Sequence, residues 1–600
     1  MLDLTRWKNR KRIPGAKSLE PRIRLMAVCF AVFGLLIIGK LFDFQVLKFD
    51  FYDALASDQH DVYQTLFPDR GSIYVKDKGS SILAADENLY PLAINKDYNL
   101  VYGQPKFLDK SPEEIAGLIA PILEPDETKR EAFKQKLVTI LSKSDDPYEP
   151  IMHKVETSLA EQINNLKIKG IKTSKETFRY YPEKNVGANI LGYVGFADDN
   201  TKKGYYGLEG YFNKELGGQQ GEIQSEKDIT GNFISIGEKK FVQAQDGDDI
   251  VLTIDKTVQY EVCTKLNERA KAVEAEGAAA IVANPQTGEI IAMCSWPDFD
   301  PNDYGKVADP KAFNNTAIFE PYEPGSIFKA ITMAAGLDSG KITPSTTYTD
   351  TGSVTIDDFT IRNSDKKAHG VKTMTQVLES SLNLGTIFAM RQIDHSVFRN
   401  YIEKFGFGPE IGIELNTENS GNISSLQQKG EIYFATAAFG QGITATPLQM
   451  VRAYSAIANG GKLVQPYIVD EIRKSNGVVI KHEAPKPIQV ISSRTSTLLT
   501  GMLVSVIKNG QGKKAGVAGY YMAGKSGTAQ IADTKNGGYY NSLTNHSFIG
   551  FAPIKNPAWV MIIKFDKPKR GAFAESTIEP LFSQLAKFLF DYYHVMPDDL

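Results

Sequence analysis

Cysteine is scarce and the net charge is close to zero, and each of these absences excludes a class of protein. The 600 residues include only three cysteines, Cys29, Cys263 and Cys294. Three are too few for a disulfide framework and lack metal-type spacing, so we interpret them as small buried apolar residues. We expect no metal and no cofactor. The formal charge of −3 gives no overall basic footprint, so no nucleic-acid partner is expected.

Internal repeats and low-complexity tails are also missing, which argues against an appended binding module. What remains is an ordinary globular composition, with 42% hydrophobic and 23% charged residues. Because 600 residues exceed what a single core can organise, two or more domains are expected. Strand-like and helical segments occur together along the chain, and we predict an α+β multidomain fold.

Long apolar runs are absent except for one near the N-terminus. Leu25–Gly39 is unbroken by charge, and the run continues to residue 47 if Lys40 and Asp43 extend toward water. A bilayer span needs about 20 residues, and the lack of a small-x-small cleavage site favours an uncleaved anchor over a signal peptide. We predict a basic cytoplasmic tail over residues 1–24, a single transmembrane signal anchor over 25–47, and an extracytoplasmic remainder.

A polar turn, AQDGDD, marks the boundary that we predict between two extracytoplasmic domains. Residues 48–245 are interpreted as an elongated mixed pedestal with a helical insertion at about 104–170, where apolar residues recur at helical spacing. Residues 246–600 are predicted to form a mixed α/β domain that returns to strands near its end and closes with a helix over roughly Glu575–Tyr593.

The most informative stretch is EPYEPGSIFKAITMAAGL, in which a Pro-Gly turn places Ser326 at the start of a strongly apolar helix. Lys329 follows one turn later, where its amine can reach the serine oxygen. The competing interpretation is a capping serine and a lysine that extends to water. The spacing alone is weak, since S-x-x-K recurs from Ser364 and from Ser505.

Two further motifs make the prediction of a catalytic site more specific than the S-x-x-K spacing alone. Ser381-Leu382-Asn383 lies in a predicted loop between helices, and Lys525-Ser526-Gly527-Thr528 lies in a predicted strand. S-x-N recurs at Ser420 and is weak by itself, whereas K-[ST]-G occurs once. The order S-x-x-K, S-x-N, K-[ST]-G, with each motif in its expected context, is the stronger signal.

The chain resembles a class B penicillin-binding protein, a monofunctional peptidoglycan D,D-transpeptidase. The blocks similar to the family are PDRGSIY, RYYPEKNVGANILGYVG, GLEGYFNKELGG, YEPGSIFKAITMAA, AFGQGITATPLQM and AGKSGTAQ. The resemblance implies a C-terminal transpeptidase domain with an antiparallel sheet flanked by helices, similar to serine β-lactamases. GQGITATPLQMVRAYSAIANGG looks closer to the septal FtsI or SpoVD type than to the elongation type.

The resemblance also implies roles for five side chains. Ser326 is the nucleophile, Lys329 is its base, Ser381 relays a proton to the departing amine, Asn383 holds the acyl amide, and Lys525 binds the carboxylate of the donor peptide. Burial and the positive charge of Lys525 are both expected to lower the pKa of Lys329.

The remaining substrate contacts are expected from the K-S-G-T segment, through Ser526, Gly527 and Thr528. The backbone N–H groups of Ser326 and Thr528 resemble the family's oxyanion hole. Two departures stand out: Leu382 replaces a residue that is polar or small in many relatives, and Ser526 replaces the commoner threonine.

The implied partners are peptidoglycan stem peptides on lipid II-derived glycan strands, β-lactams, a SEDS-family glycosyltransferase of the FtsW kind, other division proteins and the cell membrane. The competing functions are an elongation-type transpeptidase, a β-lactamase, a general serine-lysine peptidase, and a division scaffold or β-lactam sensor without turnover. A β-lactamase does not usually carry a large pedestal, and a scaffold has no chemical need for the complete set of motifs.

Overall fold

The computed structural model of the chain describes residues 21–48, 61–77, 89–144, 146–197, 201–226, 240–533 and 537–598. Most of the predicted basic tail, residues 1–20, lies outside them. The chain divides into two compact units, the first made of residues 1–67 with 220–244 and the second of residues 68–219 with 245–600.

The smaller unit contains the predicted membrane span. An α-helix over Pro21–Phe42 continues as a π-helical turn over Asp43–Leu47. Within the described residues it is the one helix long and apolar enough to cross a membrane. A three-stranded antiparallel sheet also belongs to this unit, and its strands in spatial order are Asp61–Leu66, Gly221–Glu226 and Lys240–Val242.

The larger unit begins with a seven-stranded sheet. Its long strand Leu89–Gly103 pairs antiparallel with three neighbours. The strands along the sheet are Val479–Lys481, Val469–Arg473, Asp249–Asp255, Ile73–Lys76, Leu89–Gly103 and Glu149–Val155, and Ile171–Tyr180 pairs with the long strand as well. The parallel pairing of Ile73–Lys76 with Asp249–Asp255 joins segments that are far apart in sequence.

In its described residues the predicted helical insertion contains three α-helices, Pro112–Leu123, Glu127–Leu141 and Thr157–Asn165. The first begins at a reciprocal cap between Ser111 and Glu114. The insertion is not wholly helical, because the strand Glu149–Val155 lies within it. The buried Ile151 and Val155 of that strand pack with the helices in a separate small core.

The second sheet of the larger unit has five antiparallel strands. In spatial order they are Ile290–Trp296, Gly277–Ala283, Trp559–Asp566, Tyr539–Ala552 and Ala523–Ala532. Helices Lys256–Ala272 and Glu579–Tyr592 share one apolar core with the sheet, and helix Lys329–Asp338 belongs to the other, larger core. The strand Ala523–Ala532 lies at the sheet edge, so one side of its backbone is left without a strand partner.

Further helices and small sheets complete the described part of the larger unit. Its other α-helices are Ala188–Leu191, Gly207–Tyr211, Asn213–Gly217, Thr316–Phe319, Met374–Glu379, Asn383–Arg391, His395–Lys404, Glu431–Ala437, Pro447–Ala458, Ser493–Asn509 and Ala574–Thr577. Two-stranded hairpins or ribbons pair Tyr193–Phe196 with Lys202–Tyr205, Thr347–Asp350 with Gly370–Thr373, Ser353–Ile356 with Phe359–Arg362, and Lys462–Leu463 with Ile488–Gln489.

The interpretation of the cysteines was wrong in one respect. Cys263 and Cys294 are buried, as predicted, but they form a disulfide across 31 residues of sequence. Cys263 lies on helix Lys256–Ala272 and Cys294 on the strand Ile290–Trp296, against which that helix packs. Their proximity comes from helix-on-sheet packing rather than from a sequence spacing. Cys29 is free and exposed.

Candidate active site

Ser326 lies in a tight turn rather than in the first turn of an α-helix. Gly325–Phe328 forms a 3-10 helix, and the α-helix begins at Lys329. Gly325 has φ of +58°, and a Cβ at this position would lie 2.9 Å from the Cβ of Ala529 on the edge strand. A residue without a side chain is therefore required where the nucleophile turn meets the sheet.

Lys329 is completely buried, and its amine points to the second motif. Nζ donates to the Ser381 carbonyl oxygen at 2.5 Å and to Ser381 Oγ at 3.3 Å. Within the described residues no hydrogen bond joins Nζ to the Ser326 hydroxyl, although the one-turn spacing predicts that contact. Burial, assisted by the charge of Lys525, lowers the pKa of Lys329 well below its usual value. The neutral amine that a base requires is thereby made accessible.

The Ser381-Leu382-Asn383 segment joins helix Met374–Glu379 to helix Asn383–Arg391, as its sequence context predicts. Ser381 has φ of +55°, a left-handed conformation that is uncommon outside glycine. This conformation accompanies the contact between the Ser381 carbonyl and Lys329 Nζ. The Asn383 side chain donates through Nδ2 to the Arg362 carbonyl oxygen at 2.9 Å.

Lys525 lies on the edge strand Ala523–Ala532, paired across the ladder with Ile549. It is completely buried, and its Nζ donates to the Ser526 carbonyl oxygen at 2.9 Å. Burial lowers the pKa of Lys525 to about 8, although the negative charge of Glu579 opposes the shift. Burial also raises the pKa of Glu579 to about 7. Lys525 can therefore change charge near neutral pH.

Gly527 brings the third motif against the first. A Cβ on Gly527 would lie 3.2 Å from both the Pro324 carbonyl oxygen and Ile327 Cγ2, so the strand backbone packs directly on the turn that carries Ser326. Thr528, the next residue, accepts a hydrogen bond at Oγ1 from the Ala574 N–H at 3.2 Å. All three motifs therefore converge, since Lys329 contacts Ser381 and the K-S-G-T strand contacts the nucleophile turn.

Two carboxyl groups near the motifs were missed at the level of sequence. Glu323, three residues before Ser326, accepts from the Gly442 N–H at 2.9 Å and from the Tyr539 hydroxyl at 3.2 Å. Glu579 is buried on the last helix and influences Lys525 electrostatically. For Glu579 the available signal was an acidic residue next to the apolar segment of the last helix, because a buried carboxyl group needs compensation. Glu323 lies among proline, glycine and polar residues and carries no such local signal.

The described residues contain no cluster of three or more His, Cys, Asp or Glu side chains that could hold a metal ion.

Comparison with known proteins identifies the class. The profile described as "Penicillin binding protein transpeptidase domain" matches residues 278–587, more than half of the chain. The chain therefore belongs to the penicillin-binding proteins that carry a serine transpeptidase domain. A second profile, "Penicillin-binding Protein dimerisation domain", matches residues 65–252. This pairing places the protein in class B, the monofunctional peptidoglycan D,D-transpeptidases, and confirms the resemblance read from the motifs.

Curated relatives align with most of the chain. Stage V sporulation protein D of Bacillus subtilis (strain 168) is 33% identical over 550 residues, 91% of this chain and 81% of that protein. Penicillin-binding protein PbpB of Mycolicibacterium smegmatis is 32% identical, over 76% of this chain and 70% of that protein. A "peptidoglycan D,D-transpeptidase FtsI homolog" of Mesostigma viride is 29% identical, over 97% and 96%.

Solved structures share the fold. Penicillin binding protein 3 from Mycobacterium tuberculosis, complexed with ampicillin, has a TM-score of 0.67 and 25% identity, covering 89% of this chain and 97% of that chain. Penicillin Binding Protein 2X from Streptococcus thermophilus has a TM-score of 0.72 at 22% identity, covering 88% and 80%, and it supports the fold alone. The predicted α+β architecture with a C-terminal penicillin-binding transpeptidase domain is thus confirmed.

Proposed function

We propose that this chain cross-links peptidoglycan stem peptides at the division septum, through an acyl-enzyme on Ser326. The observation that carries the proposal is the Lys329 amine, which is completely buried, has a lowered pKa and donates to Ser381 at 2.5 Å. A pure scaffold has no use for such a group, because burying an amine without a chemical task is costly.

In the acylation step, Ser326 Oγ attacks the carbonyl carbon of the penultimate D-Ala while neutral Lys329 accepts the hydroxyl proton. The new C–O bond forms as the C–N bond to the terminal D-Ala breaks. Lys329 returns the proton through the Ser381 hydroxyl, 3.3 Å from Nζ, to the departing amine. The products are the acyl-enzyme and free D-Ala.

In the second step, an amine of a neighbouring stem peptide attacks the acyl carbon. Lys329 and Ser381 take its proton and return it to Ser326 Oγ as the ester bond breaks. The result is a new peptide bond and the regenerated hydroxyl, so no external energy source or cofactor enters the sequence. Attack by water at the same stage would give hydrolysis instead.

Substrate positioning is assigned to the edge strand. A donor peptide can pair with the free side of Ala523–Ala532, which lies at the edge of the sheet. Ammonium Lys525, with Ser526 and Thr528, binds the terminal carboxylate. The N–H groups of Ser326 and Thr528 stabilise the oxyanion.

The Asn383 side chain donates to the Arg362 carbonyl oxygen at 2.9 Å. When the donor peptide binds, this side chain donates instead to the amide of the acyl group and holds it in place. A penicillin undergoes the same acylation step, since its lactam carbonyl and its carboxylate occupy the positions of the scissile carbonyl and the terminal carboxylate of the donor peptide.

The proposed anchor is supported by the N-terminal apolar helix, and the proposed partners are supported by the family. We place Pro21–Phe42 across the cytoplasmic membrane, with the catalytic domain outside. A SEDS-family glycosyltransferase of the FtsW kind supplies the lipid II-derived strands that this domain cross-links, together with other division proteins. The septal assignment is supported by relatives named stage V sporulation protein D and FtsI.

The test is mass spectrometry of the full-length protein in detergent after incubation with a penicillin, with the adduct mapped and its lifetime followed. A long-lived adduct on Ser326 is expected. Rapid return to free enzyme would indicate a β-lactamase, and an absent adduct would indicate a scaffold. Depletion of the protein in cells separates the two transpeptidase roles: filaments with unfinished septa support the septal one, whereas rounded cells support the elongation type.

A further inference from the structure

The helix Asn383–Arg391 begins without a cap of its own. Its N-cap residue is Leu382, whose side chain cannot accept a hydrogen bond. The first backbone N–H groups of a helix need acceptors, usually a Ser, Thr, Asp or Asn side chain at the N-cap. Because this helix carries Asn383 at its first position and Ser381 just before it, the manner in which it is capped bears on the site.

Asn363 supplies the missing acceptor from a different part of the chain. Its Oδ1 accepts from the Leu384 N–H at 3.3 Å, across 21 residues of sequence. Asn363 directly follows Arg362, whose carbonyl oxygen accepts from Asn383 Nδ2 at 2.9 Å. One short segment, Arg362 and Asn363, therefore contacts both the start of the helix and the side chain of its first residue.

Asn363 is itself fixed by a buried charge. Its Nδ2 donates to Asp350 Oδ1 and Oδ2 at 3.0 and 2.8 Å, and to the Lys367 carbonyl oxygen at 3.2 Å. Only 3% of Asn363 and 2% of Asp350 is exposed. Asp350 also accepts from the N–H groups of Gly352 at 3.3 Å and His369 at 3.0 Å. Asp350 thereby holds Asn363 with its Oδ1 toward the helix.

We propose that Asn363 is a positioning residue for the Ser381-Leu382-Asn383 motif, oriented by Asp350. The proposal rests on the proposed transpeptidase function. Asn363 replaces the cap that Leu382 cannot provide. It also fixes the segment whose Arg362 carbonyl oxygen accepts a hydrogen bond from the Asn383 side chain. Through this contact it sets where Ser381 and Asn383 stand relative to Lys329, without touching the substrate.

The test compares four variants by the acylation rate constant per active site, measured with a chromogenic penicillin and normalised to the adduct formed. Asn363→Asp keeps an oxygen that can accept from the Leu384 N–H. It replaces the amide that donates to Asp350 with a second carboxylate, which Asp350 repels. We expect acylation to slow roughly 100-fold, the scale for a misplacement of about 1 Å. Asp350→Asn places two neutral amides together and should slow it roughly tenfold.

The decisive variant is the exchange Asp350→Asn with Asn363→Asp, which restores one amide and one carboxylate in reversed positions. We expect its acylation rate constant to return to within about tenfold of wild type. Asn400→Asp, on the exposed surface of helix His395–Lys404, makes the same chemical change away from the site and should have no effect.

The outcomes separate this proposal from the function itself. Wild-type protein that forms no adduct removes the transpeptidase assignment. If the wild type forms the adduct and Asn363→Asp acylates with the same rate constant per site, the positioning role alone is overturned. This holds even if the melting temperature of Asn363→Asp is lower, since a purely structural residue changes the folded fraction and not the rate per site. An exchange variant that folds but acylates as slowly as Asn363→Asp overturns the role of Asp350.

Discussion

Two S-x-x-K segments of this protein share their spacing and differ in chemistry. Ser326 lies in the 3-10 turn that leads into a core helix, and Lys329 is the first residue of that helix and is completely buried. Ser505 and Lys508 lie near the end of helix Ser493–Asn509, where Lys508 is exposed and its ammonium lies 5.1 Å from the Tyr521 ring centroid. The spacing places the lysine one turn from the serine in both cases, but only burial makes a neutral amine accessible.

The serines differ in the same way. The Ser505 hydroxyl donates to the Glu379 carboxylate, so it serves as a structural hydrogen-bond donor. The turn around Ser326 instead packs against the edge strand that carries Lys525 and Gly527. An S-x-x-K segment can form a catalytic site only where the segments that carry the S-x-N and K-[ST]-G motifs pack against it. A search for the S-x-x-K spacing alone does not test this packing.

Removing the nucleophile should have the largest effect. We expect Ser326→Ala to abolish the covalent penicillin adduct, because Ser326 lies on the turn that leads into the helix of the buried Lys329 and packs against the edge strand that carries Lys525. The measurement is intact-protein mass spectrometry, with Ser364→Ala, the exposed serine of the third S-x-x-K match, as the control. An adduct that persists on Ser326→Ala would assign the nucleophile to another side chain.

Removing the base should have the next largest effect. Lys329→Met keeps the length of the buried side chain and deletes its amine, and we expect acylation to slow by roughly 10²–10⁴-fold, the usual contribution of a general base. Stopped-flow acylation kinetics measure this, with Lys508→Met as the matched control at the exposed site. A Lys329→Met protein that acylates at a near-normal rate would remove Lys329 as base and erase the contrast between the two segments.

A smaller effect is expected from pH. Acylation needs Lys329 neutral, so the rate should fall as pH drops through its lowered pKa. Carboxylate binding needs Lys525 charged, so the second-order rate constant should also fall as pH rises through about 8. Because the charge of Glu579 raises the pKa of Lys525, Glu579→Gln should move this alkaline limb to lower pH.

The control for the pH profile is Lys525→Gln, which should bind weakly and show no alkaline limb, since its side chain does not titrate. A wild-type profile that stays flat above pH 8, or a Glu579→Gln limb that does not move, would contradict the assignment of Lys525 as the titrating group.

Local patterns were enough to predict most of the framework. Apolar residues at helical spacing predicted the insertion that contains Pro112–Leu123 and Glu127–Leu141, and the closing helix predicted over roughly 575–593 corresponds to Glu579–Tyr592. The contexts of the three motifs were likewise predictable, because each depends on a few neighbouring residues.

Contacts between distant segments were beyond such reasoning. The disulfide Cys263–Cys294 depends on which helix face meets which strand, and periodicity fixes neither the partner nor its register. Asn363 caps a helix that begins 20 positions later, and its side chain carries no local signal of that role. The direction of the Lys329 amine toward Ser381 follows from how the loop between two helices folds, not from the turn that carries Ser326.

The smallest effect on catalysis should come from Ser505→Ala, which tests whether the second S-x-x-K segment has a structural role only. Loss of the hydrogen bond to Glu379 should lower the free energy of unfolding by about 1 kcal/mol, while the acylation rate constant per folded molecule stays unchanged. Urea denaturation of the solubilised protein and acylation kinetics on the same preparation measure both quantities. If acylation slows several-fold at unchanged stability, Ser505 acts on the site through Glu379 and helix Met374–Glu379, which precedes Ser381, and the two segments are not independent.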